Sequence, residues 1–198
     1  MLIRLSVFMG TVLLGASLVA CGGARTEAPA GSTVAQQIEQ TPTALTLDTV
    51  NGLFTALTEL AGAPLDQIQA RMISVGVSGS GSVDALDPAK PTEFNQYVAY
   101  PDGRRDVRPY DYGGSENYDA LLTETFPANT VSAETLVITW NDSFNRVTGA
   151  PEDLSAPGGV TVNRNRETNE VEIYVVNGPE RDRQTVYYDS TGGFLRVS

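Results

Sequence analysis

The side chains of this chain that could do chemistry are carboxylates: 24 Asp and Glu against 13 Lys and Arg, with no His and a single Cys at position 21. Without imidazole there is no Ser-His-Asp or Cys-His relay, no general base that titrates near neutrality by default, and no His ligand for zinc or copper. Carboxylate work stays open. Paired acids in glycosidase-type hydrolysis need to stand roughly 5 to 10 Å apart. Oxygen ligands for a hard cation could come from Asp102, Asp106 and Asp111, or from Asp111, Glu116 and Asp119. Neither grouping follows a known loop, and so many acids supply every spacing, so none is singled out. The motifs of phosphate loops, nucleophile elbows and Ser-Lys enzymes are missing. Gly76-Val-Ser-Gly-Ser-Gly81 lacks the lysine a phosphate cradle needs and reads as a turn. The sequence therefore assigns no catalytic residue, no metal and no cofactor.

A second group is aromatic and cationic. Tyr97, Tyr100, Tyr110 and Tyr112 fall on one stretch with Arg104, Arg105 and Arg108. Tyr and Arg dominate interface hot spots, so these seven residues form a candidate partner-binding patch for a protein, a peptide or an envelope glycan. The alternative is that half the rings pack on a sheet face while the arginines pair with neighbouring Asp. A net charge of −11 argues against nucleic acid and against adhesion to anionic lipid, since both need a basic face.

The address is written in the first residues. Arg4 is followed by an uncharged apolar run over 5–20, short of the roughly 17 to 25 residues of a spanning helix and without a basic flank. Leu18-Val19-Ala20-Cys21 resembles the lipobox of bacterial lipoproteins. The resemblance implies that residues 1–20 are a cleaved signal peptide, that the Cys21 thiol carries a diacylglyceryl group, and that the protein is extracytoplasmic and membrane-bound. Gly22 in place of the Asp that retains lipoproteins at the inner membrane leaves an outer-membrane destination open. Residues 21–42 then hold only Val34 and Ile38 as large apolar side chains and read as a flexible tether. Residues 43–198 are long enough for one globular domain, and with the thiol spent on the anchor that domain has no disulfide.

The elements that must position the candidate residues follow from periodicity. Val50, Leu53, Phe54, Leu57, Leu60 and Ala61 form one apolar stripe, with Thr46 or Asp48 to cap it and Gly62 to end it, which predicts a helix over 47–61. Met72 to Val77 reads as a strand, 84–91 as a loop, and 94–100 and 105–112 as a hairpin around Pro101-Asp102-Gly103, with Pro109 confining the second strand to an edge. Tyr118, Leu121, Leu122 and Phe126 predict a helix over 115–126. Over 135–147, Leu136, Val137, Trp140, Phe144 and Val147 can share a helical face, but the β-branched residues and Asn141-Asp142-Ser143 favour strand, turn, strand. Four alternating segments, 159–163, 170–177, 184–188 and 194–197, complete an antiparallel tail.

Residues 100–114 echo 176–193, each reading as strand, Gly/Pro turn, Arg-Asp, aromatic strand, Gly-Gly. The fold class is thus α+β, helices packed on an antiparallel sheet, with two tandem helix-plus-sheet units at 43–114 and 115–198 as one layout. In element order alone, with no motif residue to carry over, this is similar to PepSY-like and β-lactamase-inhibitor-like tandem modules, which implies binding of proteins or peptides. The functional expectation is a non-enzymatic binding module. Its alternatives are a carrier of lipid or another apolar ligand, and a carboxylate-dependent hydrolase.

Overall fold

The computed structural model describes residues 44–111, 113, 117–148, 158–178 and 181–198. The lipobox with Cys21, the tether and Tyr112 lie outside them.

Helix α1, Leu47–Ala61, forms where its stripe predicts. Thr46 Oγ1 accepts from the Thr49 N–H at 3.2 Å, and Gly62 ends the helix in the left-handed conformation. Four strands follow as a meander: β1, Gln69–Gly76; β2, Gly81–Asp87; β3, Lys90–Ala99; and β4, Arg105–Pro109. A short helix α2, Tyr118–Thr123, and a two-residue strand β5, Phe126–Pro127, lead to helix α3, Ala133–Ser143. A second meander closes the chain: β6, Gly159–Arg164; β7, Val171–Asn177; β8, Gln184–Asp189; and β9, Phe194–Val197. The two meanders join through antiparallel pairing of β1 with β6, giving one sheet in the order β4-β3-β2-β1-β6-β7-β8-β9, with β5 paired to the start of β1. Helices on an antiparallel sheet, laid out as a helix and four strands twice over, are the fold class the sequence predicts.

Several local expectations need correction. Residues 84–91 are not a loop: they hold the end of β2 and the start of β3. Asp84 is only 2% exposed within β2, and a buried acid is tolerated there because Gln96 Nε2 donates to it at 3.0 Å and Arg71 stands 3.9 Å away. The helix over 115–126 is cut to six described residues. The segment at 135–147 is helical up to Ser143, within α3, because Ser132 caps that helix and Leu136 and Trp140, one turn apart, are both buried. The hydroxyls of Thr139 and Ser143 donate back to the carbonyls of Leu136 and Trp140, which lets polar residues face the core. The second unit is therefore led by α3, and the echo is misaligned by one hairpin: 100–104 joins β3 to β4, whereas 178–183 joins β7 to β8, and the true counterpart of β3–β4 is β8–β9.

One sheet face carries the core. A row of paired residues crosses all eight strands of the main path as Val107, Tyr97, Val83, Ile73, Val162, Ile173, Tyr188 and Phe194, and its six inner members are at most 2% exposed. Helices α1 and α3 pack on this face, with Leu57 and Leu136 buried between helix and sheet. Because strand side chains alternate, the intervening residues all point to the opposite face.

Candidate functional site

The outer face is built from those alternate residues. Its central row reads Asp106, Val98, Ser82, Ser74, Thr161, Tyr174, Tyr187 and Arg196, one from each strand from β4 to β9 along the main path. Ser82, Ser74 and Thr161 stand side by side on the three central strands. Each is half-buried, and among the described residues none of their hydroxyls makes a hydrogen bond. Along their strands they alternate with core residues: Val83, Ile73 with Val75, and Val160 with Val162. The result is an open trough of about 750 Å³ floored by these hydroxyls and by Gly81 and Gly159.

Tyr100 and Arg108 wall the trough on the β3–β4 side, and Tyr174 and Arg183 on the β7–β8 side; among the described residues no residue of a helix and no carboxylate lines it. Arg108 Nε donates to Asp106 at 2.9 Å and one terminal nitrogen donates to the Tyr100 hydroxyl, which leaves the other terminal nitrogen without a protein partner among the described residues. Arg183 is exposed and makes no ion pair or hydrogen bond among the described residues. The neighbouring recess on the same face, about 620 Å³, is different: its Arg71, Arg166 and Arg196 are tied to Glu124 and Glu172 at 2.7 to 3.0 Å. Three guanidiniums share two carboxylates there, so each of these arginines is already held in an ion pair.

The predicted Tyr/Arg patch is not one surface, because strand alternation divides it. Tyr97 is 2% exposed and faces the core beside Val83, so it leaves the patch. Arg105 points to the helix side and pairs with Glu59 of α1. Arg104 lies over the Tyr100 ring, 4.8 Å from its centroid, and pairs with Asp102 at 2.6 Å. Tyr110 sits near the far end of the hairpin, against Phe94, with its hydroxyl accepting from Arg71 at 2.9 Å. Of the described members, only Tyr100 and Arg108 reach the trough. The sequence reading passed over Ser74, Ser82, Thr161 and Arg183, although a small hydroxyl residue beside β-branched core residues, three times over, is a readable sign of a thin outer face.

Acid chemistry finds little support in the geometry. Asp102 and Asp106 each hold their own arginine, Asp111 accepts from the Gly113 N–H, and Glu116 lies outside the described residues. Among the described residues no three carboxylates gather as metal ligands. Burial pushes the Asp84 carboxyl above its ordinary range, with Gln96 and Arg71 opposing, whereas Arg196 holds the Glu172 carboxyl below its own.

The fold and this face define a class: an α+β protein whose nine-stranded sheet is covered by helices on one side and, among the described residues, open and arginine-flanked on the other. No family model matches the chain, and no curated protein matches it. One solved structure is similar, that of a presumed lipoprotein from Clostridium difficile 630, with a TM-score of 0.47 and 9% identity over 81% of this chain and 95% of that one. The reading of the site rests on this chain's own residues.

Proposed function

We propose that this protein is a lipid-anchored extracytoplasmic binding module that holds a protein or peptide partner against the open face of its sheet. The anchor rests on the lipobox ending in Cys21, and the binding face rests on one observation: three adjacent hydroxyls on the central strands without a hydrogen bond among the described residues, bounded by Arg183, which has no such partner either, and by Arg108, which keeps one terminal nitrogen beyond its bonds to Asp106 and Tyr100. Polar groups of this kind fix the orientation of a ligand, and the flanking Arg and Tyr supply its energy. A shallow trough without an enclosing wall suits a partner that covers it from outside rather than a small molecule enclosed within it.

The test places a photo-crosslinking amino acid at Ser82 or Thr161 in the trough, and at Ile138, which is 62% exposed on α3, in cells producing the full chain. Adducts that form from the trough positions and not from Ile138 support the binding face. Adducts confined to Ile138, or none at the trough, refute it.

A further inference from the structure

Taking the open sheet face as the binding face, we infer that its partner presents an acidic peptide segment, with carboxylates that engage Arg108 and Arg183 while the peptide lies across Ser82, Ser74 and Thr161. The first ground is charge. The chain carries a net charge of −11, yet among the described residues the trough is lined by two arginines and no carboxylate. On an acidic protein a locally positive region of this kind attracts an anion. Arg108 keeps one terminal nitrogen free of protein partners and Arg183 keeps its whole guanidinium, the fork that carboxylates accept from two donors at once.

The second ground is size. From Val98 on β3 to Tyr174 on β7 the trough crosses four inter-strand spacings, roughly 19 Å, which an extended peptide of about six residues spans. The hydroxyls between can donate to its carbonyls and accept from its N–H groups. The third ground decides between an acidic peptide and an anionic polysaccharide. The Tyr100 ring carries Arg104 at 4.8 Å and Tyr174 lies beside Tyr187 with centroids 6.0 Å apart, and the row of three hydroxyls can pair with the N–H and C=O groups of a peptide backbone, which favours the peptide; the sulfated oligosaccharide is the competing outcome of the test.

The experiment measures binding of fluorescein-labelled octaglutamate, octaglutamine and a sulfated oligosaccharide to the full chain by anisotropy at low salt. Octaglutamate is expected to bind at least tenfold more tightly than octaglutamine and to weaken as salt rises. Arg108→Gln combined with Arg183→Gln is expected to weaken it at least tenfold, and Arg183→Gln alone several-fold. Arg183 is exposed and makes no hydrogen bond or ion pair among the described residues, so a loss there is not a folding defect. Arg146→Gln, on the helix side, is expected to leave binding unchanged. Equal binding of the two peptides, full binding by the double variant, or binding of the oligosaccharide alone would each overturn the inference. If octaglutamate fails while crosslinks from Ser82 persist, the acidic specificity is wrong and the binding face stands.

Discussion

Tyr97 on β3 and Tyr188 on β8 occupy matching places in the two halves of the sheet. Each pairs on one side with a β-branched core residue, Val83 or Ile173, and on the other with an apolar residue of an edge strand, Val107 or Phe194. Each ring is at most 2% exposed and closes one end of the core. The Tyr188 hydroxyl has no partner in good hydrogen-bonding geometry among the described residues, and burial first, then the charge and the proximity of the Asp142 carboxylate, push its phenol well above the ordinary value. Truncation to Ala should cost about 3 to 5 kcal/mol at either position. Tyr188→Phe, which removes only a desolvated hydroxyl, should leave the thermal midpoint unchanged or higher. A drop as large as that of the Ala variant would show that the hydroxyl is held by a bond the geometry does not reveal.

Glu172 ties the second half together on the outer face. It is 5% exposed and receives two bonds from Arg196, at 3.0 and 2.9 Å, and one from Asn165 at 3.0 Å. Arg196, opposed by burial, holds its carboxyl below the ordinary value of 4.5. A depressed folded-state pKa stabilises the fold above the unfolded value, and that stability is lost as pH falls through the folded one. Arg196 is nearly half exposed, so Glu172→Gln should cost only about 1 kcal/mol at pH 7. Urea unfolding of both proteins from pH 7 down to pH 3 checks this: the gap should close below about pH 4.5, and a gap that stays constant would mean the charge contributes nothing.

How much of this was legible in the sequence depends on how local the cause was. Thr46, the Leu53-Leu57 stripe and Gly62 lie within one helix, so α1 reads directly. Residues 133–143 do not: Val137, Ile138 and Thr139 carry β propensity, and only the burial of Leu136 and Trp140 under a tertiary layer decides for helix. Asp84 reads as loop because its partners, Arg71 and Gln96, lie on other strands. The alternation of 94–100 told that Tyr97 and Tyr100 point opposite ways, but not which face the helices cover. The Ser82, Ser74, Thr161 row needs the register of β1 against β6, set by contacts between residues more than 80 positions apart, and no window of sequence holds that.

The anchor proposed at Cys21 makes a prediction independent of the folded domain. Cys21→Ala should abolish incorporation of labelled palmitate and shift the protein from the membrane pellet to the soluble fraction, because a lipid chain contributes roughly 0.8 kcal/mol per buried CH₂ and nothing else near residue 21 is basic enough to replace it. Labelling that persists in the variant would mean that the lipobox is misread.

Asp84 carries the opposite sign to Glu172. Its carboxyl is pushed above its ordinary value of 3.8, chiefly by burial, so its contribution to stability is full below the unfolded value and lost as pH rises through the folded one. Asp84→Asn keeps the shape and removes the charge, while Arg71 retains Glu124 at 3.0 Å. The variant should melt higher than the parent at pH 7, and the advantage should vanish toward pH 3. A lower melting point at pH 7 would show that the Arg71 attraction outweighs desolvation.

Gly159 bears on the join between the two halves. It opens β6 at φ 139°, a conformation that side chains rarely adopt, and pairs with Gly76 at the end of the β1–β6 ladder. A Cβ placed there would stand 1.8 Å from the Val75 carbonyl oxygen, which is backbone and cannot swing away. Relief requires the start of β6 to retreat from β1, and with it the floor of the trough between Gly81 and Thr161. Gly159→Ala should therefore cost about 3 kcal/mol or more, combining backbone strain with lost pairing. Native-state hydrogen exchange should show the loss of protection concentrated at Val75 and Val160, where the halves meet, before it reaches β3 or β8. A uniform loss across both meanders would mean that the sheet opens as a single unit and that the β1–β6 seam is no weaker than the pairs inside each half.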